Sequence, residues 1–281
     1  MHQTTSATPV DTDATGPVFI IGCPRSGTSA LSWALAQHPQ MWVSAESDFI
    51  QLLFGYGNMQ RAYRMAHDRP DEGWLKKNDV NYTEFCAHMG IGVDRLFRSR
   101  SGGVCWIDSS PGYTLMATEL ALMFPRAKFL HLIRDGRAVV NSMINSNFDM
   151  DWARDFERAC FTWAHYVAKG LDFEKVWPDR TMRVRHADLL ADAAGKCRMM
   201  LQFLGMPQDA APASFLLDGR INSSYDNQNP EDIRARKSLQ RLKESPWDSW
   251  SVEQKATFTR LAGPMMEAVG LGDGSSQGVV P

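Results

Sequence analysis

The chain has 281 residues, 44% hydrophobic and 22% charged, with a formal net charge of −2. That length is enough to bury a substantial core, and the near-neutral balance excludes generic attraction to nucleic acid or to an anionic membrane surface. No apolar run reaches the ~20 residues that cross a bilayer, and five scattered cysteines, an odd number, argue against a disulfide framework.

Residues 1–16, MHQTTSATPVDTDATG, have neither the basic start nor the apolar core of a signal peptide and are expected to form a flexible polar arm. Val18 to Ile21 read as a buried strand. Gly22, Pro24 and Gly27 then interrupt regular structure, and between Thr28 and Gln37 the residues Leu31, Ala34 and Leu35 recur at helical spacing. Next come a strand from Met41 to Ser44, helices across Glu46 to Ala66 and Tyr82 to Arg98, and a strand from Val104 to Ile107. A helix from Thr114 to Met123, a strand from Lys128 to Ile133, and helices Gly136 to Ile144 and Trp152 to Val176 follow. Strand Met182 to Arg185 leads into a helix from Ala187 to Leu204, and the Gly/Ser-rich end is expected to be a flexible tail over 271–281. Short apolar runs alternating with helices predict an α/β fold, a central, mostly parallel sheet flanked by helices on both faces, in a single domain over 17–270.

The stretch VFIIGCPRSGTSAL, residues 18–31, carries the first functional signal. A strand that ends in a glycine-bearing turn and runs straight into a helix aims backbone N–H groups and a helix N-terminus at one point, which favours an anion. The spacing from Gly22 to Gly27 matches a nucleotide-binding P-loop, yet Thr28 stands where that motif requires Lys. An ATPase or GTPase without that Lys lacks a tool for the β- and γ-phosphates. The positive charge sits instead inside the loop, on Arg25.

The segment Pro24-Arg25-Ser26-Gly27-Thr28-Ser29 resembles the 5′-phosphate loop of sulfotransferases that use 3′-phosphoadenosine 5′-phosphosulfate (PAPS). A second segment, KFLHLIRDGRAVVNSMI at 128–144, is similar to the family's 3′-phosphate motif, an Arg at a strand end with a Ser eight positions later, here Arg134 and Ser142. Asp135, Val139 and Ser142 share a helical face, so the expected helix turns the Ser142 hydroxyl toward the Arg134 guanidinium. From about residue 18 to 145, and more loosely to 205, the chain most resembles the tyrosylprotein branch and its bacterial relatives, through PRSGT, the His38-Pro39 turn, Glu46, the Pro111 turn, FPRAKFLHLIRDGRA and VRHADLL.

The resemblance implies a P-loop NTPase-like three-layer fold and a PAPS-dependent transfer of a sulfuryl group to an acceptor hydroxyl, with PAPS as donor and no metal required. Glu46 matches the position of the general base. Arg25 and the backbone of Ser26, Gly27, Thr28 and Ser29 would hold the 5′-phosphate, Arg134 and Ser142 the 3′-phosphate, and His186 stands where the branch has a Tyr near the adenosine. Arg236-Lys237-Ser238 is similar to a segment that covers the 3′-phosphate in cytosolic sulfotransferases; a solvated basic face is the other reading. The polar loop Arg220 to Tyr225 is a further lid candidate. Two departures bear on the acceptor: Ser109, in Asp108-Ser109-Ser110-Pro111, replaces a Lys of the branch, and Ser146 replaces an Arg.

Several residues keep two readings. Glu46 is a base or a helix cap, with Asp48 as the nearby alternative base. Cys23, inside the loop, is a nucleophile or a small apolar filler. Arg134 holds phosphate or pairs with Asp135. Phe54, Tyr56, Met59, Tyr63, Met65 and Trp74 line an acceptor pocket or fill core, and Arg95, Arg98 and Arg100 form a basic cluster that would suit an acidic acceptor. His38 is expected in a turn, and His131 as a satisfied core residue. A P-loop nucleotide kinase and a non-catalytic PAPS-binding homologue are the competing functions. Cytoplasmic localisation, a small-molecule or peptide acceptor, no nucleic-acid partner and no membrane span are expected; the residues say nothing of oligomeric state.

Overall fold

The computed structural model describes residues 15–70, 73–146, 148–218 and 246–272. Five strands form one parallel sheet: β1 (Val18–Gly22), β2 (Met41–Val43), β3 (Cys105–Asp108), β4 (Lys128–Ile133) and β5 (Thr181–Arg185), in the order β2-β3-β1-β4-β5. β1 is buried along its whole length, as an unbroken apolar run must be when helices cover both faces of a parallel sheet. Alternation then sorts its side chains. Val18 and Ile20 join Leu130, Leu132 and Val184 against α1 (Thr28–Leu35), α10 (His186–Ala191) and α11 (Ala193–Leu204). Phe19 and Ile21 join Trp106 and Phe129 on the opposite face, against α5 (Tyr82–Arg100) and α6 (Ala117–Met123). On that second face a further core gathers Cys23 and Ile133 with α7 (Gly136–Ile144), α9 (Phe156–Val176) and α14 (Val252–Ala268).

The helices break where a side chain captures a backbone amide. The stretch 187–204 is two helices, because Asp192 accepts from the Gly195 N–H at 2.8 Å and caps α11. Likewise Asp155 accepts from the Arg158 N–H at 2.7 Å, separating α8 (Asp151–Arg154) from α9. The helix expected across 46–66 is α2 (Phe49–Phe54) and α3 (Asn58–His67), divided at Gly55–Gly57, and residues 44–48 are not helical. Residues 111–116 form a 3-10 turn ahead of α6. Three shorter helices, α4 (Trp74–Lys77), α12 (Ala211–Asp218) and α13 (Pro246–Ser249), and the long α14 were not expected from periodicity. The start of α14 was nonetheless legible: Ser251 and Gln254 form a capping box.

Apart from residues 15–16 and 271–272, the arm expected over 1–16 and the tail over 271–281 lie outside the described residues, as do Arg236, Lys237 and the loop 220–225. No helix among the described residues is long and apolar enough to cross a membrane.

Candidate functional site

With the order β2-β3-β1-β4-β5, the chain leaves β1 toward one edge of the sheet and later crosses to the other. The carboxyl end of β1 therefore faces the crevice where ligands gather in open parallel sheets. All five strands deliver a candidate residue at that end: the loop 23–27 after β1, Glu46 after β2, Ser109 and Ser110 after β3, Arg134 after β4 and His186 after β5.

The cradle is built by the backbone. Arg25 and Gly27 are left-handed, with φ of 69° and 98°, and the Ser26 N–H closes the turn onto the Cys23 carbonyl at 3.1 Å. Ser26 is therefore withdrawn from the expected row of phosphate-facing amides; its hydroxyl is buried without a hydrogen-bond partner. The first helical bond of α1 runs from the Leu31 N–H to the Gly27 carbonyl, so the helix presents its preceding amides at its N-terminus, next to Thr28 and Ser29. Gly22 is clamped from below, donating to the Thr114 hydroxyl at 2.8 Å and accepting from it at 2.9 Å. At Gly27 a Cβ would meet the His186 ring at 3.2 Å, which sets that imidazole against the loop.

Two guanidiniums meet there. Arg134 Nη1 donates to the Arg25 carbonyl at 3.0 Å, while Trp163 Nε1 holds the Arg134 carbonyl at 3.2 Å. Asp135 caps α7 through the Arg137 N–H and pairs with the Arg137 side chain at 2.7 Å, so its hydrogen bonds go to Arg137, while its charge still acts on Arg134. Ser142 departs from expectation: its hydroxyl accepts from Arg25 Nε at 3.2 Å. Arg134 is drawn under the loop to its backbone, and the α7 face that was to meet it meets Arg25 instead.

Charge is crowded. Burial lowers the Arg25 pKa, opposed by the nearby Glu46 carboxylate; burial and the neighbouring Arg25 lower that of Arg134. His186 is pushed down to about 4, by burial first and Arg134 second, so it is neutral at neutral pH. Phe148 lies over the Arg25 guanidinium, 5.3 Å from ring centre to Cζ. Two half-buried cations beside one another, an orphaned hydroxyl and a helix N-terminus fit a ligand with two phosphate groups.

Other expectations resolve by position. Glu46 lies three residues before α2, whose N-cap is Asp48, so it is not the cap of that helix, and its charge acts on Arg25. Cys23 is 2% exposed among Ile133, Val139 and Trp163, and burial raises its thiol pKa well above the usual value; it is filler. His38 makes its turn, Nδ1 accepting from the Gln40 N–H at 3.1 Å, and His131 is satisfied by Glu174 at 2.6 Å. The Ser146 hydroxyl is bound to the Met143 carbonyl. Of the large residues, Met59 is core, whereas Tyr56, Met65 and Trp74 are exposed. The basic cluster is misplaced for an acceptor: Arg98 donates to the Thr15 carbonyl just before β1, and α5 ends just before β3 begins, at the amino ends of the strands, opposite the cradle. Sequence reasoning missed Ser47, Thr114 and Tyr113, which are joined through the Ser47–Ser110, Ser47–Tyr113 and Gly22–Thr114 bonds to residues 63 or more positions away. Among the described residues no group of three or more His, Cys, Asp or Glu is placed to hold a metal ion.

The model of the sulfotransferase family matches residues 17–210. The protein-tyrosine sulfotransferase A of Caenorhabditis elegans is 27% identical over 218 residues, covering 74% of this chain and 55% of that protein. The protein-tyrosine sulfotransferase of Drosophila melanogaster is 26% identical, covering 69% and 39%. The chain thus spans about half the length, or less, of these curated relatives. Among solved structures, the sulfotransferase domain of the Synechococcus PCC 7002 olefin synthase aligns with a TM-score of 0.55 at 22% identity, covering 88% of this chain and 93% of that one. Mouse sulfotransferase SULT7A1 complexed with PAP aligns at 0.50 and 10%, covering 91% and 85%. These likenesses give the fold, the P-loop NTPase-like three-layer arrangement of sulfotransferases around a parallel sheet. With the family model spanning more than half of its residues, the chain belongs to the sulfotransferase family.

Proposed function

We propose that the chain transfers the sulfuryl group of PAPS to an acceptor hydroxyl by in-line displacement, with Glu46 as general base. The observation that carries this reading is the meeting of Glu46, Arg25 and Arg134 at one phosphate cradle. The mouse sulfotransferase of similar fold is complexed with PAP, the desulfated form of that donor.

PAPS supplies an activated sulfuryl group whose leaving group is a phosphate. Glu46 takes the acceptor's proton as the new S–O bond forms and the bond to the 5′-phosphate breaks, a role that typically contributes about 10²- to 10⁴-fold. Arg25 and the N-terminus of α1 hold the 5′-phosphate and the charge it gains. Arg134 and Ser142 select the 3′-phosphate, with the Ser142 hydroxyl also accepting from Arg25 Nε. Neutral His186 packs beside the loop on the adenosine side without adding a third positive charge.

Peptide tyrosine, a phenol, a sugar hydroxyl or another metabolite satisfies this machinery. The names of the relatives favour tyrosine, while Ser109 in place of a Lys and the remote basic cluster weigh against an acidic tyrosine peptide. A reduced, cytoplasmic setting belongs to the same proposal and is in keeping with five buried, unpaired cysteines.

Calorimetric titration with PAP, without magnesium and beside ATP and 5′-AMP, tests the donor. Tight binding that requires the 3′-phosphate is expected. Preference for ATP with magnesium overturns the reading and restores the nucleotide kinase.

A further inference from the structure

The segment 108–110, where the family resemblance led us to expect a Lys, is wholly buried: Asp108 is 3%, Ser109 5% and Ser110 0% exposed. The reason is register. β3 stops at Asp108, opposite Phe19, whereas β1 continues to Gly22, so the residues after β3 run beneath the cradle.

There they bond in two directions. Asp108 Oδ1 accepts from the Ser110 N–H at 3.0 Å and from the Ser110 hydroxyl at 2.8 Å, and Oδ2 accepts from the Tyr113 hydroxyl at 3.1 Å. The Ser47 hydroxyl lies against the same carboxylate and the same phenol. Ser110 Oγ in turn accepts from the Ser47 N–H at 3.0 Å, the amide that joins Ser47 to Glu46. On the other side the Ser109 hydroxyl donates to Ser32 Oγ at 3.2 Å, and Ser32 donates to the Ser29 carbonyl at 2.9 Å, in the first turn of the cradle helix.

We propose that Asp108-Ser109-Ser110 is a buried polar brace that fixes Glu46 relative to the cradle, with Asp108 as its positioning residue. This rests on the transfer reading above. A carboxylate buried without a cation is costly unless its hydrogen bonds are met. Among the described residues no Lys, Arg or His pairs with Asp108, and hydroxyl and amide donors satisfy it instead. The next residue but one from the base, Asp48, holds φ 41° and ψ −34°, a strained backbone that persists only where its surroundings over-determine it. The brace supplies that constraint through Ser47. Asp108 gathers donors from 47, 110 and 113 around one point, while the neighbouring Ser109, which stands where the branch has its Lys, ties the same segment to the cradle helix through Ser32.

The test compares the parent with Asp108→Ala, Asp108→Asn and Tyr113→Phe in three measurements: PAP affinity, hydrogen exchange of the peptide covering residues 44–49, and turnover of labelled PAPS. The acceptor is the best of a panel of a tyrosine peptide, p-nitrophenol, glucosamine and a long-chain alcohol. Asp108→Ala is expected to lower kcat about 10- to 100-fold, the scale of a small misplacement of a reacting group, with PAP affinity unchanged and exchange of residues 44–49 faster. Tyr113→Phe should do the same more weakly, and Asp108→Asn, which keeps one acceptor oxygen, should recover part of the loss. If PAP affinity falls in step with kcat in Tyr113→Phe, or exchange and kcat both stay at the parent's values in Asp108→Ala, the brace is overturned. A parent that binds no PAP overturns the transfer reading instead, and the exchange rates alone then decide whether 108–110 holds the Glu46 segment.

Discussion

On the transfer reading, the donor side and the acceptor side of the crevice are built on different principles. The donor side comes from two short continuous segments, 22–31 and 131–142, in which a strand end, a turn and a helix start follow one another along the chain. Its chemistry is largely backbone chemistry, with amides and a helix terminus gathered by local geometry. The acceptor side is assembled from residues far apart, Ser47 with Ser110 and Tyr113, and is tied to the cradle helix by Ser109 with Ser32. The turn and helix start of an anion cradle can thus be encoded locally, whereas the pairing of Arg25 with Arg134 and Ser142, and the placing of Glu46 against them, need long-range contacts.

If that division is right, variants on the two sides fail in different ways. The largest effect is expected on the acceptor side: Glu46→Gln should lower kcat by about 10²- to 10⁴-fold while PAP binding, followed by calorimetry, is retained. Loss of PAP binding in this variant would erase the distinction. On the donor side, Arg134→Ala should weaken PAP by about 30- to 900-fold, the range set by truncating one partner of a buried charged contact at about 2–4 kcal/mol, and should leave 5′-AMP binding much less changed.

Gly27→Ala probes the backbone itself. With φ at 98° and the His186 ring 3.2 Å from the new Cβ, it should destabilise the fold by about 1–3 kcal/mol, read as a shift in denaturant midpoint. An unshifted midpoint would mean that the loop relaxes freely. Ser142→Ala removes a single hydrogen bond to Arg25 and should weaken PAP binding by about tenfold or less, ~1 kcal/mol.

A further effect is one of slope. His186 titrates at about 4 when folded against 6.5 in the free side chain. Between these values the unfolded chain holds the proton and the folded chain does not, so stability present above pH 6.5 is lost as the pH falls toward 4. His186→Asn should flatten that part of the melting-temperature profile of the unliganded protein; an unchanged slope would mean that the imidazole is not desolvated against the loop.

Sequence reading named Arg25, Gly27, Thr28, Ser29 and Arg134 after strands whose apolar runs are plain, and His186 from the family resemblance; strand ends in a parallel sheet point to one place. Residue-level direction was harder. Ser142 was placed on a helical face that does form, yet that face met Arg25, because Arg134 turned under the loop to a carbonyl no periodicity could foresee. The basic cluster near Arg98 looked suitable until α5 ended at the amino ends of the strands, away from the cradle. Asp155 and Asp192 split helices that apolar spacing alone had joined, although a cap-forming Asp was there to be read.

By itself the sequence determined the five strands, the cradle that follows the first and the family to which its motifs point, since these depend on side-chain pattern and on turns spanning a few residues. Only the tertiary structure decided that Glu46 and Arg25 share one electrostatic neighbourhood, that Cys23 is sealed in apolar core, and that Asp108 gathers Ser47, Ser110 and Tyr113. Those outcomes depend on where β3 stops relative to β1 and on which hydroxyls that offset brings within 3 Å or so of one another. Register between strands is a property of the assembled sheet, and no local stretch of chain contains it.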